Sequence, residues 1–168
     1  MQRCLASNAI EVPKLGNNPF FSGCLPYRST IASTAPDSSL SFSRWFAGEF
    51  GGDFLETPVN PDATFVSNAG SCVPDGVTSI VFCSYNGHLN KGQMELARVF
   101  FEIARQRGIS FACLALRNPW DLFLLPEGAY GLAIWEYTTK SFEAAAAVFR
   151  GEFVPGGQLP KIEGGLYA

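Results

Sequence analysis

The sequence has few charged residues and no basic cluster. Charged residues make up 16% of the 168 positions, and the formal net charge is −3. Because binding to nucleic-acid phosphates requires clustered Lys and Arg, nucleic acid is excluded as an expected partner. No apolar run approaches the roughly 18 residues needed to span a membrane, so no membrane partner is expected either.

The cysteines and the single histidine also lack the spacing of a functional cluster. The five cysteines lie far apart, at positions 4, 24, 72, 83 and 113, without a C-x-x-C pair. An odd number at this spacing argues against a disulfide framework and a zinc site, so we predict no metal and no cofactor. Residues 1–15 contain no uninterrupted apolar stretch of the kind found in secretion signals, which leaves a cytoplasmic location as the default expectation.

Composition changes along the chain and predicts two regions. Hydrophobic residues make up 47% of the sequence, enough for one domain with a proper core. Residues 1–37 contain Gly16-Asn17-Asn18-Pro19 and a cluster rich in Ser, Thr and Pro, and we interpret them as an irregular N-terminal arm with one irregular strand over 27–32. Residues 38–168 are interpreted as an α/β domain.

The second half of the chain carries the clearest secondary-structure pattern. Continuous apolar runs at Thr78–Cys83, Ile109–Leu116 and Ala129–Trp135 are typical of strands covered on both faces. Between the first two runs the pattern predicts a helix over Lys91–Arg107, with Asn90 as N-cap and Gln93 in a capping-box position. A second helix is expected from Thr138 or Thr139 to Arg150. This order predicts an α/β fold, a three-layer sandwich around a mostly parallel sheet of flavodoxin-like type.

Weaker patterns precede these elements. They predict a helix over 40–50 capped by Ser39 and ended by Gly51, a strand over 54–59, and a helix over 61–69 opened by Asn60 and Pro61.

Polar and aromatic residues follow each of the three buried strands. They are Asn86, His88 and Asn90 after the first strand, Arg117, Asn118, Trp120 and Asp121 after the second, and Glu136 and Tyr137 after the third. The carboxyl ends of parallel strands meet at one edge of a sheet, where α/β proteins bind ligands. We therefore predict a ligand or interface site formed by these three loops, although the pattern does not name the ligand.

Catalysis is the weaker interpretation of these loops. A lone loop histidine such as His88 more often braces a loop than reacts. Asp121 and Glu136 are candidates for the two carboxylates of glycoside hydrolysis. The favoured alternative is that Asp121 caps a turn over 122–125 and that Glu136 pairs with Arg117.

Other catalytic and binding motifs are missing or ambiguous. Ser84 lies outside a G-x-S-x-G elbow, which argues against a serine nucleophile. Neither glycine-rich phosphate motif is present, although a flavodoxin-like phosphate site remains an alternative. Trp120, Trp135 and Tyr137 suit either sugar stacking or packing in a core or interface.

Four motifs resemble a known family when they are taken in order. They are Tyr85-Asn86-Gly87-His88-Leu89-Asn90-Lys91-Gly92-Gln93, then Ala115-Leu116-Arg117-Asn118-Pro119-Trp120-Asp121-Leu122, then Trp135-Glu136-Tyr137-Thr138, then Gly151-Glu152 with Pro155-Gly156-Gly157-Gln158-Leu159-Pro160. Together they resemble the C-terminal domain of glycoside hydrolase family 3, in its bacterial β-N-acetylglucosaminidase (β-N-acetylhexosaminidase) branch. The resemblance is strong over residues 76–162 and weaker over 38–75. The family commonly has Tyr at the position of Trp120, and Lys or Arg near Gln158.

The resemblance implies an accessory role rather than catalysis by this chain alone. In that family the nucleophilic Asp lies on an N-terminal (β/α)₈ barrel of about 250 residues, longer than this chain. In the β-N-acetylglucosaminidase branch the acid/base His also comes from a barrel loop, so we assign no catalytic residue here, His88 included.

The expected partners also follow from the resemblance. They are a barrel-bearing catalytic domain or subunit and a carbohydrate of amino-sugar type, whose site the three loops support or border. The alternatives are an independent flavodoxin-like module that binds a phosphorylated or sugar ligand, and a degenerate remnant without a ligand.

Overall fold

The computed structural model describes residues 6–7, 11–24, 41–152 and 154–159. The strands are β1 Ala6–Ser7, β2 Pro19–Cys24, β3 Asp53–Thr57, β4 Ser79–Ser84, β5 Ser110–Ala115, β6 Tyr130–Ala133 and β7 Gly157–Gln158. The α-helices are α1 Phe42–Phe50, α2 Ala63–Ala69, α3 Lys91–Arg107 and α4 Thr139–Phe149, and 3₁₀ helices span Gly70–Cys72 and Pro119–Leu124.

The strands form one sheet in the order β3-β2-β4-β5-β6-β1-β7. The five strands from β3 to β6 in this order are mutually parallel, and β1 adds to β6 in the antiparallel sense. After β2 the chain adds β3 on one side of the sheet, and from β4 onward it adds strands on the other side. This is the flavodoxin-like order, whose ligand crevice lies where the direction reverses. The predicted mostly parallel α/β sheet is confirmed.

Helices cover both faces of the sheet, as a three-layer sandwich requires. On one face, Phe42 and Phe46 of α1 and Phe142 of α4 pack in a single hydrophobic cluster with the sheet. On the other face, Phe100 of α3 packs in a second cluster to which Ala69 of α2 also belongs. Burial on both faces explains the continuous apolar runs in the strand sequences.

The second strand corrects the expectation of an irregular segment before residue 38. Pro19–Cys24 lies between β3 and β4 and is buried at every position. Pro19 occupies the first position of the strand, where a missing N–H is tolerated. A Cβ on Gly23 would lie 2.9 Å from Cys83 Cβ, so the glycine permits a close approach between strands rather than marking a turn. The strand expected over 27–32 lies outside the described residues.

Several helix starts also differ from the sequence expectation. Ser41, not Ser39, caps α1 through its side chain, while Gly51 ends the helix as expected. Asp62, not Asn60, caps α2, and its Oδ1 accepts from Phe65 N at 2.8 Å. Short capping side chains cluster near both starts, and only the backbone path selects among them.

Helix α3 begins at Lys91 as expected, but its predicted capping contacts are wrong. The Asn90 side chain makes no cap bond and donates backward to Tyr85 O and Asn86 O, at 3.2 and 3.0 Å. The Gln93 side chain bonds Tyr85 N instead of Asn90 N. Both amides therefore hold the preceding loop rather than the first turn of the helix.

No helix among the described residues is long and apolar enough to cross a membrane.

The buried thiols are expected to make stability fall at alkaline pH. Burial raises the pKa of Cys24 from about 9 to about 12, and it also raises the pKa of Cys83 and Cys113. The unfolded chain loses these protons above about pH 9, whereas the folded chain retains them. The free energy of unfolding is therefore at its full value below about pH 9 and decreases as the pH rises toward about 12. We expect urea unfolding to show a loss of more than about 1 kcal/mol between about pH 8 and pH 10.5. Cys72→Ser, at an exposed thiol, should leave the fall unchanged, and an equal stability at both pH values would contradict the prediction.

Candidate functional site

The loops after β4, β5 and β6 lie at the carboxyl edge of the sheet, as expected. The pairing of Ser84 with Ala115, and of Ala115 with Ala133, aligns the ends of the three strands. Backbone bonds continue this alignment into the loops, with Leu116 N donating to Ser84 O and Ile134 N to Ala115 O, both at 3.0 Å. The loops therefore start side by side.

Asp121 is the centre of the contacts between the first two loops. Its side chain is fully buried, and its Oδ2 accepts from Ser84 Oγ at 2.7 Å and from Gly87 N at 2.8 Å. Its Oδ1 accepts from His88 N and lies 2.8 Å from His88 Nδ1. An ionised carboxylate only accepts, so Nδ1 carries a proton and Nε2 is the ring nitrogen left for other contacts. Asp121 therefore fixes both the loop after β4 and the orientation of the imidazole.

These contacts decide between the alternatives for Asp121 and His88. The expectation that Asp121 caps a turn over 122–125 is wrong, because it lies within the 3₁₀ helix Pro119–Leu124 and bonds across to the neighbouring loop. With four donors around a buried carboxylate, Asp121 has no exposed oxygen for acid/base work on a substrate. His88 Nδ1 lies 2.8 Å from Asp121 Oδ1, a contact consistent with a loop-bracing histidine.

Gly87 lets the loop close over the carboxylate. A Cβ at this position would lie 2.5 Å from Met94 Sδ and 3.2 Å from Asp121 Oδ2. The neighbouring Asn86 adopts a positive φ of 50°, and its Oδ1 accepts from Asn118 Nδ2 at 3.1 Å. Non-glycine residues in this backbone region cluster at functional sites, where the surroundings hold them in place.

Gln93 fixes the same loop from its other side. Its buried Oε1 accepts from Tyr85 N at 2.8 Å, while its Nε2 donates to Tyr85 O at 3.1 Å and to Val59 O. The amide thus ties the start of α3 to the loop after β4 and to the segment after β3. The bracing roles of Ser84, Gly87 and Gln93 are not predicted by the sequence motifs. The available signal was an isolated carboxylate, Asp121, within an apolar stretch, since a buried charge requires several donors.

The loop after β6 presents an aromatic side chain in an unusual backbone conformation. Trp135 has a φ of 60°, and Glu136 N donates to Ile134 O at 2.7 Å across it, which closes a three-residue γ-turn. The positive-φ form of this turn is rare and strained. Trp135 is 41% exposed despite its size, and Glu136 is also exposed. The turn therefore displays an indole and a carboxylate at the edge of the sheet.

The remaining predicted site residues occupy different environments. Arg117 is exposed, and no ion pair joins it to Glu136 within the part of the chain that the structure describes, so that expected pairing is wrong. Trp120 is partly buried, with its ring centroid 5.9 Å from that of Phe123. Tyr137 is also partly buried and accepts from Phe42 N at 3.0 Å. Burial raises the pKa of Tyr137, in keeping with a packing role.

The fold and this edge define a mostly parallel α/β domain of flavodoxin-like strand order, with a loop after β4 that is hydrogen-bonded to the buried Asp121 and an exposed tryptophan turn after β6. No family model and no curated protein sequence matches the chain.

Solved structures do match, and three of them are glycosidases much longer than this chain. A glycoside hydrolase family 3 β-N-acetylglucosaminidase from Paenibacillus sp. str. FPU-7 is similar with a TM-score of 0.66 and 22% identity, over 93% of this chain and 29% of that chain. A β-glucosidase from Listeria innocua, solved with isofagomine, gives a TM-score of 0.61 and 12% identity over 90% of this chain and 24% of its own. A fungal multi-domain family 3 β-N-acetylglucosaminidase gives a TM-score of 0.56 and 16% identity, over 99% of this chain and 19% of that chain. The chain thus has the fold of a segment of these enzymes and spans less than a third of their length.

Proposed function

We propose that this chain is the accessory α/β domain of a family 3 glycoside hydrolase of β-N-acetylglucosaminidase type. Its carboxyl-edge loops support or border the sugar site of a (β/α)₈ barrel that lies outside these 168 residues, and the chain does not hydrolyse glycosides alone. The observation that carries the proposal is the fold match, which includes 93% of this chain and only 29% of the Paenibacillus β-N-acetylglucosaminidase. The order of the four sequence motifs supports the same branch.

The geometry at the carboxyl edge of the sheet also favours an accessory role over a catalytic one. Asp121, the carboxylate nearest to the loop histidine, is enclosed by donors from its own chain. Glu136 and Arg117 are exposed and carry charges suited to contacts with sugar hydroxyls or with a partner. Trp135 adds an apolar ring of the kind that packs in interfaces or against sugar rings.

Activity measurements on the purified chain test the proposal directly. We expect no release of chromophore from a chromogenic N-acetylglucosaminide above the level of the Glu136→Gln variant. Hydrolysis by the wild-type chain that Glu136→Gln abolishes would overturn the proposal, because it would place a catalytic carboxylate on this domain.

A second test supplies the barrel from another enzyme. The barrel of a family 3 β-N-acetylglucosaminidase, produced without its own α/β segment, is mixed with this chain, and complex formation is followed by calorimetry. We expect binding that Trp135→Ala weakens by about tenfold, the usual scale for loss of an interfacial aromatic anchor. Val154→Ala is the matched control, because Val154 is 82% exposed but follows α4 and lies outside the three loops at the carboxyl ends of β4, β5 and β6.

The strand order also favours a second candidate, an independent flavodoxin-like binding module. Under this alternative, phosphorylated ligands perturb tryptophan fluorescence and N-acetylglucosamine does not. Under the leading proposal, amino sugars give the stronger response.

A further inference from the structure

A cleft lies beside His88, along helix α3. It has a volume of about 290 Å³, and it is separate from the Trp135 turn. Its lining residues are Gly87, His88, Lys91, Met94, Glu95, Arg98 and Leu124. Met94 and Leu124 supply an apolar base, and the first turns of α3 supply the charges.

The charged side chains that line this cleft have a net positive charge, opposite in sign to that of the whole chain. Lys91 and Arg98 outnumber Glu95 by one positive charge, whereas the chain as a whole carries −3. Arg98 forms an ion pair with Glu95. Lys91 forms no ion pair with any other described residue and is exposed, so its ammonium group is available to a ligand.

The imidazole at the cleft is held in a fixed orientation. Nδ1 of His88 is bound to the buried Asp121, which leaves Nε2 as the ring nitrogen available for other contacts. The hydrogen bonds from Ser84 and Gly87 keep Asp121 in place, so the cleft is organised before a ligand arrives.

We propose that this cleft binds a small organic anion. Its carboxylate or phosphate head pairs with the Lys91 ammonium group beside the His88 ring, and its apolar body lies against Met94 and Leu124. Ion-assisted hydrogen bonds fix the head, and burial of the apolar body adds affinity. The cleft shares Gly87 and His88 with the loop after β4, but its test is separate from that of the glycosidase proposal because it needs neither a barrel nor a sugar.

The composition of the chain allows the two sides of the cleft to be labelled separately. His88 is the only histidine, and Met94 is one of two methionines, the other being Met1. In the full chain, ¹⁵N-labelled histidine and ¹³C-methyl-labelled methionine therefore report on the head and the body of the ligand separately. The probes are benzoate, phenyl phosphate and uncharged benzyl alcohol.

We expect benzoate, phenyl phosphate or both to shift the His88 and Met94 signals together until the site is saturated. The dissociation constant should be about 1 mM, typical of a small open site. The head group that saturates at the lower concentration identifies the anion class. Lys91→Gln should weaken binding by about tenfold, and Glu95→Gln should strengthen it, because it removes the acidic group and releases Arg98. The matched controls are Lys140→Gln and Glu143→Gln, which alter an ion pair on α4 outside the cleft and should leave the affinity unchanged.

Three results would each overturn the proposal. They are the absence of a saturable shift with both anions, an equal response to benzyl alcohol, and the same affinity in Lys91→Gln, Glu95→Gln and their controls. Lys91, Glu95 and Lys140 are exposed and Glu143 is half-buried, so each variant should keep the fold, which the backbone amide spectrum checks.

Discussion

Asp121→Asn is expected to lower the free energy of unfolding by about 3–5 kcal/mol, the usual range when one partner of a buried charged network is removed. Asn has nearly the same shape as Asp, so the change leaves little cavity and tests the carboxylate itself. The carboxylate accepts four hydrogen bonds, from Ser84 Oγ, Gly87 N, His88 N and His88 Nδ1. An amide replaces one acceptor oxygen with an NH₂ donor, which would face donors and leave at least one of them buried without a partner.

Urea unfolding at neutral pH measures this loss, and the histidine gives a second readout. With the carboxylate gone, the tautomer of His88 should no longer be fixed, and the ¹⁵N signals of its ring should move toward those of a free imidazole. Asp75→Asn is the matched control because Asp75 is fully exposed, and its unfolding free energy should stay within about 0.5 kcal/mol of wild type. A similarly small change in Asp121→Asn would show that the loop does not depend on the buried carboxylate.

The sequence predicts the centre of the sheet well because burial on both faces leaves a clear pattern. Ile80, Val81, Phe82 and Cys83 all point into one of the two hydrophobic clusters, so every position is apolar. Helix α3 is equally clear, since its exposed charges recur every three or four residues between buried positions, at Glu95, Arg98, Glu102 and Arg105. The three loops at one edge then follow from parallel pairing alone.

The second strand and the centre of the site are harder to predict, for physical reasons. Pro19 and Gly23 resemble turn residues locally, and only contacts with β4 show why each is tolerated. The contacts of Asp121 join residues 33 to 37 positions apart, so no short pattern contains them. The γ-turn at Trp135 is likewise invisible in sequence, because no glycine marks its positive φ.

The other large effect is expected at Gly92, in the first turn of α3. Glycine to alanine inside a helix usually stabilises a protein by about 0.5–1 kcal/mol. At Gly92 the sign should reverse. An added Cβ would lie 1.9 Å from Pro61 O and 3.0 Å from Pro61 C, and these are backbone atoms that cannot rotate away. We expect Gly92→Ala to cost about 2–3 kcal/mol in urea unfolding, within the usual range for overpacking.

Gly48→Ala supplies the matched control for this change. Gly48 is also helical, within α1, and nothing lies within 4 Å of the Cβ that would be added, so this variant should be as stable as wild type or more stable. The contrast has a consequence for the site, because Gly92 lies between Lys91 of the cleft and Gln93, which braces the loop after β4. A shift of α3 away from Pro61 would lengthen the Gln93 bond to Val59 O and loosen that loop, so Gly92→Ala should also speed hydrogen exchange at Tyr85 N. A stabilising effect at both glycines would mean that the start of α3 is not packed against the segment after β3, and the preorganised loop would lose its support on that side.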